Sequence, residues 1–466
     1  MKVLSLLLGL TLTLSALAGG ESFVTNGPIT SLGRLDSVAQ ISEQPPVRPF
    51  DVRHWRTSQG SQVIFVHAGD VPMLDLRLIF NAGSARDGQH PGLASTTSLM
   101  LFEGSRNKSA EQIARDFENL GAQYSSSSAR DMALVDLRTL SDPHYLDPAV
   151  DEFIDVVAHP AFRAADYARV HDQQMIGLKQ QEQSPEAQAS RLFYSHLYGD
   201  HPYATPPHGT LASLRDLRPQ DLQTFFSQEY RAANAVIALV GDISEAQAHA
   251  ISEKLSAALP QGPAAPPLPA VPALLQAQNI HLEFPSEQTH ILMGTVGVSR
   301  QDPQYEALRV GNNILGGGDF SSLLMREIRV KRGLSYSAGS YFLPMQVAGP
   351  FIVSMQTRND QTAAALGVAR DILAQFLRQG PSSSELQETK NHIIGGYPLS
   401  LASNYSILGS LGVIAFYGLP YDYLEHYPQR IAAITADDVR HAFAAHVDLA
   451  HLLIVTVGQD APAPHP

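Results

Sequence analysis

The sequence predicts an α+β fold of two homologous lobes, each an antiparallel sheet covered on one side by helices, able to face one another across a cleft. Three observations carry this. Strand-like runs open both halves: Gln62-Val-Ile-Phe-Val66 and Leu74-Asp-Leu-Arg-Leu-Ile-Phe80 in the first, Ile280-His-Leu-Glu-Phe284 and Ile291-Leu-Met-Gly-Thr-Val296 in the second. Each half closes on an apolar strand running into a glycine turn, Ala235-Val-Ile-Ala-Leu-Val-Gly-Asp242 and Leu452-Leu-Ile-Val-Thr-Val-Gly-Gln-Asp460. Between them lie amphipathic stretches such as Ala110 to Leu120 and Val368 to Leu377, with apolar residues at helical spacing. Starts and ends are offset alike, by about 215 residues, which marks an internal duplication.

The elements follow in order from the N-terminus. Lys2, the apolar run Val3 to Leu14 and then Ala16-Leu17-Ala18 have the layout of a signal peptide, so residues 1–18 are expected to be cleaved and the chain to be periplasmic. That run is too short to span a bilayer and no second one follows, which argues against a stable membrane anchor. Residues 19–47, rich in Gly, Ser and Pro without periodicity, read as an extended arm. The first α+β domain is expected over 48–258. Residues 259–278 hold Pro260-Gln-Gly-Pro-Ala-Ala-Pro-Pro-Leu-Pro-Ala-Val-Pro272, whose prolines lack the N–H a helix or inner strand needs, and form a linker. The second domain is expected over 279–460.

Composition narrows the function. The 466 residues include no Cys, which excludes disulfides, thiolate metal sites, cysteine nucleophiles and lipid attachment at a cysteine. Forty-five acidic against 32 basic residues, with no dense Lys/Arg run, make nucleic acid an unsuitable partner. None of the 18 histidines lies in a His-x-x-Glu-His or His-Glu-x-x-His array. His441, His446 and His451 drift around a helix at spacings of five, and His201 and His208 sit among prolines, so all read as surface or hydrogen-bonded residues.

The stretch Gly83-Ser-Ala-Arg-Asp-Gly-Gln-His-Pro-Gly-Leu-Ala-Ser-Thr-Thr-Ser-Leu-Met-Leu-Phe-Glu-Gly-Ser105 resembles the active-site helix of pitrilysin/insulinase-type metallopeptidases. Those carry Gly-Leu-Ala, then His-x-x-Glu-His, then Met-Leu-Phe, with two zinc-binding histidines and a water-polarising Glu on one helix face. Here Gly92-Leu93-Ala94 and Met100-Leu101-Phe102 are kept, while Ser95 and Leu99 stand for the histidines and Ser98 for the Glu. The family's third ligand, a Glu on a later helix, falls near Gly177, beside Ile176. The resemblance therefore implies a degenerate zinc site at Ser95, Ser98, Leu99 and Gly177, and no metal or cofactor in this chain. It continues in order through Tyr198-Gly-Asp-His-Pro202, Gly209-Thr210, Asp221-Leu222 and Tyr230 to Asp242, covering roughly Val52 to Gly458.

The second half keeps more. Leu315-Gly-Gly-Gly-Asp-Phe-Ser-Ser-Leu-Leu-Met-Arg-Glu-Ile-Arg-Val-Lys-Arg-Gly-Leu-Ser-Tyr336 resembles the family's glycine-rich loop, helix and strand start. Gly316, Gly317 and Gly318 could adopt positive φ and admit a substrate backbone, or simply end a helix. No Gly-Lys-Ser/Thr follows, which disfavours a phosphate loop. Arg329 and Tyr336 match an Arg/Tyr pair that in the family binds substrate and supports the oxyanion, though a solvated helix arginine and a half-buried strand tyrosine are the plainer alternatives. Heterodimeric members put zinc on one subunit and this pair on the other. The resemblance thus implies half of a clam shell. This chain would act on a peptide or unfolded-protein substrate beside a zinc-bearing insulinase-like subunit with an intact His-x-x-Glu-His. The alternative is a structural or peptide-binding pseudo-peptidase.

Overall fold

The computed structural model describes residues 50–318 and 320–459; the expected signal peptide, the arm, Asp319 and Asp460 lie outside them. The first half contains strands β1 (Val52–Arg56), β2 (Gln62–His67), β3 (Met73–Phe80), β4 (Gln123–Ser128), β5 (Ala133–Leu140) and β6 (Ala235–Gly241). Its helices are α1 (Leu93–Met100), α2 (Ala110–Asn119), α3 (Pro143–Ala158), α4 (Ala164–Glu182), α5 (Pro185–Tyr198), α6 (Leu211–Asp216), α7 (Pro219–Glu229) and α8 (Glu245–Ala258). The second half has strands β7 (Gln278–Glu283), β8 (Gln288–Val296), β9 (Ser335–Phe342), β10 (Pro350–Arg358) and β11 (Leu453–Gly458). Its helices are α9 (Tyr305–Asn312), α10 (Thr362–Gln379), α11 (Ser383–Gly396), α12 (Asn404–Tyr417), α13 (Tyr427–Ala433) and α14 (Ala436–His446). Residues 260–277, within the proline-rich segment, form neither helix nor strand.

Local chemistry explains the elements. In β5 buried Ala133, Val135 and Leu137 alternate with half-buried residues, the period-two pattern of a strand with one face in a core. Around α2, Ser109 and Gln112 exchange side-chain and backbone hydrogen bonds in a capping box, and Ile113 and Phe117, four apart, supply the buried stripe.

The sheets run β1-β2-β6-β3-β5-β4 and β7-β11-β8-β10-β9. Without β1, they correspond strand for strand. Their pairings correspond too: β2 with β6 and β7 with β11 are parallel, and every other neighbour pair is antiparallel. The duplication is therefore one of topology, with a single parallel pair inside each otherwise antiparallel sheet.

Each sheet buries one face against helices of its own half. Leu74, Leu76 and Leu78 meet Ile113, Phe153 and Phe225 in the first core, and Met293, Phe351 and Val353 meet Leu308, Leu373 and Phe443 in the second. The second faces hold a difference from the expected one-sided cover: each receives a helix from the opposite half. Ile407, Leu408, Leu411 and Ile414 of α12 cover Ile64, Val66, Val236 and Val240 of the first sheet. Phe193, Leu197 and Tyr198 of α5 cover Ile352, Leu453 and Val455 of the second, with linker residues Leu268, Val271 and Leu274 packed beside them. Gly412 lets α12 settle, since a Cβ there would stand 2.7 Å from Ile79 Cδ1. The described residues of the two halves thus form one compact unit.

A buried polar bolt ties the halves where the helices cross over. Asp131, 3% exposed, accepts hydrogen bonds from Tyr203 Oη (2.5 Å), Tyr417 Oη (3.1 Å) and the Gln346 backbone N–H (2.8 Å). Among the described residues no single helix is long and apolar enough to cross a membrane; α11 extended to Leu401 plus α12 pass by length and composition only as a pair bent by 109°.

Candidate functional site

Helix α1 begins after Gly92, whose φ of 94° suits glycine and whose added Cβ would stand 3.0 Å from Gly209 Cα and the His208 carbonyl oxygen. Asp87 secures this turn, accepting from the Gly92 N–H (2.7 Å) and the Ala94 N–H (2.8 Å). Burial pushes the Asp87 carboxyl up to about 7, against the pull of those two backbone bonds. The helix start thereby fixes its next residues toward α4, β4 and the His208 segment.

There the predicted zinc-equivalent positions come together. Ser95, Ser98 and Leu99 from α1 and Gly177 from α4 line one pocket of about 320 Å³ with Ser126–Ser128 of β4, Gln174, Gln181 and His208. Ser95 Oγ and His208 Nδ1 share a hydrogen bond of 3.1 Å, and the Ser126 hydroxyl donates to the Ser98 carbonyl at 2.8 Å. Burial, helped by the Arg130 charge, lowers the His208 pKa and favours neutral imidazole. The sequence leaves His208 as a surface or hydrogen-bonded histidine; its meeting with Ser95 joins residues far apart in the chain and has no local signal.

The lining residues do not fit zinc. One imidazole, hydroxyls and amides face the pocket, no carboxylate lines it, and Leu99, 44% exposed, offers no donor. Among the described residues no group of three or more His, Cys, Asp or Glu is disposed to hold a metal ion. A carboxylate to polarise a water is likewise missing from the lining residues.

The second half presents the other predicted residues. Asn313–Gly317 form a π-helical turn directly after α9, and Met325–Val330 form a second one carrying Arg329. The expected positive φ at the glycine run does not occur at Gly316, Gly317 or Gly318. The need for glycine is steric instead: a Cβ at Gly316 would lie 2.5 Å from Ser340 N and Oγ, so the turn rests on β9. Asn312 fastens it there, donating from Nδ2 to the Ser340 carbonyl (2.8 Å) and accepting from the Ser340 hydroxyl (2.7 Å).

Arg329 and Tyr336 meet as expected. The guanidinium carbon lies 4.3 Å from the Tyr336 ring centre and 4.6 Å from that of Phe320, a cation between two rings. Both rings face solvent, Tyr336 72% and Phe320 59% exposed. Among the described residues Arg329 donates no hydrogen bond to the protein, which leaves its planar fork available. Sequence reasoning gave Phe320 no role. The signal was an aromatic one residue beyond Asp319 at the end of the glycine run.

A series of adjoining pockets leads from the Ser95 site to strand β9. The Ser95 pocket adjoins a second of about 430 Å³ through Leu178, Gln181 and His208. That one adjoins a third of about 220 Å³ through Glu186, Ser190 and Tyr194. The third is walled by Ser337 and Tyr341 of β9, the strand that carries Tyr336, whose own side chain is not among the lining residues. At the middle, Arg130 stacks on Tyr194 at 3.5 Å. β4 and β9, corresponding strands under the duplication, are the sheet edges that line the two ends.

Comparisons with known proteins agree with this geometry. Residues 63–210 match the family model described as Insulinase (Peptidase family M16), and residues 216–393 match the Peptidase M16 inactive domain. An uncharacterized zinc protease of Mycobacterium leprae is 26% identical over 384 residues, 82% of this chain and 86% of the relative. One of Bacillus subtilis is 23% identical over 367 residues, 78% and 87% respectively. The crystal structure of a peptidase M16 inactive domain from Pseudomonas fluorescens is 41% identical, covers 89% of this chain and 100% of that one, and superposes with a TM-score of 0.86. A protease structure from Helicobacter pylori, 17% identical over 88% of this chain and 99% of its own, shares the fold at a TM-score of 0.82.

Proposed function

This chain belongs to peptidase family M16, and from that premise we propose that it is the zinc-less subunit of a two-part periplasmic peptidase, binding peptide in trans to a zinc-bearing subunit with an intact His-x-x-Glu-His. The groove carries this reading. It runs from the pocket where a metal would sit to the strand bearing Tyr336, and both ends are sheet edges an extended peptide could join by strand addition. Relatives named zinc proteases match most of this chain in sequence, while Ser95, Ser98, Leu99 and Gly177 withhold the ligands from this copy.

The partner would bring the metal-activated water. This chain's part is binding and charge stabilisation. Gly317, exposed at the turn, and its neighbours Gly316 and Gly318 offer backbone to a substrate strand. Arg329 and the Tyr336 hydroxyl are donors that can face the oxygen on which charge develops.

The test is single-turnover cleavage of a fluorogenic peptide by a mixture of this chain and the zinc-bearing subunit. The mixture should cleave where neither alone does. Arg329→Ala or Tyr336→Phe should slow it by about 100- to 1,000-fold, the usual cost of one lost oxyanion donor, with subunit association unchanged. Undiminished cleavage by both variants would leave a peptide-binding or scaffold subunit.

A further inference from the structure

Outside the groove, a pocket of about 450 Å³ lies among α9, α12, α13 and the turn before α12, and it runs against the charge of the whole chain. The protein carries a formal net charge of −13, yet two arginines, Arg300 and Arg309, line this pocket and no acidic residue does. Tyr397, Tyr423 and Tyr427 supply ring surface, and Leu401, Val413 and Ile414 supply aliphatic surface.

The polar groups are unequally committed. Arg300 donates to Tyr423 Oη at 3.2 Å, and that hydroxyl donates onward to Glu306 Oε1 at 2.5 Å. Arg430, 3.7 Å from the same carboxylate, offsets its charge. Arg309 is exposed and lies over the Tyr427 ring at 5.2 Å; the Glu306 charge acts on its guanidinium, but among the described residues that guanidinium forms no ion pair and donates no hydrogen bond. Tyr427 is only 3% exposed, and its hydroxyl is buried without a partner. A guanidinium fork with idle donors matches a carboxylate in two-point geometry.

We propose that this pocket binds a single carboxylate carried on an apolar body, with the Arg309 guanidinium holding the head group and the tyrosine and aliphatic walls taking the body. The chemistry is shared by a peptide C-terminus ending in an apolar residue and by a short fatty acid. One free guanidinium and mostly apolar walls suit one negative charge better than a polyanion. The volume lies in the range of small-ligand sites. The site depends neither on a partner subunit nor on peptidase activity, so it stands apart from the proposed function.

Isothermal titration of the full chain with acetyl-Ala-Ala-Phe as free acid, the same peptide as amide, and octanoate tests it. The acid should bind and the amide should bind about tenfold or more weakly, as the loss of a charge-assisted hydrogen bond requires. Arg309→Gln, at an exposed side chain with no hydrogen bond to lose, should melt like the parent and bind the acid no better than the parent binds the amide. Octanoate bound without the peptide, and lost in Arg309→Gln, would uphold the carboxylate site and name the fatty acid as its ligand. Acid and amide binding alike, acid binding unchanged by Arg309→Gln, or no binding of any probe at millimolar concentration would overturn the proposal.

Discussion

At Arg329 the guanidinium sits between two exposed rings, and only one of them carries a hydroxyl. Phe320→Ala removes a cation–π contact worth about 0.5–1 kcal/mol at an exposed site and no oxyanion donor. It should raise the KM of the proposed two-subunit reaction about two- to fivefold while kcat holds, in contrast to Tyr336→Phe; an equal fall in kcat would give Phe320 a part in the chemistry. The zinc-equivalent pocket gives a second expectation. Nothing lies within 4 Å of a Cβ built at Gly177, so Gly177→Glu has room, whereas Ser95 already contacts His208. Ser95→His with Ser98→Glu and Leu99→His should hold little zinc after dialysis. Adding Gly177→Glu should raise affinity but leave turnover poor, because outer-shell partners typically matter by about 10–100-fold. Metal analysis decides, and full activity from the triple change would show that the Gly177 position is not the third-ligand site. Asp87 supplies a pH effect. Its folded value of about 7 lies above the ordinary 3.8, so between those values the folded chain holds a proton the unfolded chain has released. Stability should therefore be full below about pH 4 and decline as pH rises toward 7. In urea titrations Asp87→Asn should flatten that slope, and an unchanged slope would assign it elsewhere. The sequence made Ser95, Ser98, Leu99 and Gly177 legible because a motif with fixed spacing surrounds them. His208, Ser126 and Phe320 escaped because their significance is spatial, set by which strands and turns the fold brings alongside.

Single elements were legible where periodicity was strong. The expected strands at Gln62, Leu74, Ala235 and Ile291 and the helix from Ala110 appear within a few residues of their anticipated ends. What no segment discloses is its neighbour. Helix α5 looks in sequence like part of the first domain, yet Phe193 and Leu197 belong to a core built on the second sheet. A fully buried Phe193 gives this a measurable form. Phe193→Ala should cost about 3–5 kcal/mol and lower the denaturation midpoint of the whole chain in one transition. A loss confined to a first-half transition would contradict the exchange of helices. The parallel pair in each sheet was also hidden, since an apolar strand reads the same whether its neighbour runs with it or against it.

At the scale of the molecule, the duplication was readable from the sequence, but independence of the halves was not its consequence. Each sheet has one face that only the other half covers, and Asp131 of the first half is hydrogen-bonded by Tyr417 and Gln346 of the second. A chain opened between Ala264 and Ala265 should therefore yield two fragments that separately bind an apolar dye and melt without cooperativity. Mixed, they should recover the parent's circular dichroism and a cooperative melt. Two fragments that each fold alone would refute this.

The reciprocal helices also dictate a timetable for biosynthesis. The last strand of the first sheet, β6, leaves the ribosome at Gly241, but Ile64, Val66, Val236 and Val240 keep a bare apolar face until residues 404–417 have been translated. α5 waits likewise, since β11, which it covers, is the last strand made. The nascent first half is thus a sticky, unfinished object for most of the time the second half takes to appear, and native contacts of this long range close slowly. A holding chaperone, or delivery of the whole polypeptide unfolded to where it will mature, fits such a chain better than folding half by half as it emerges.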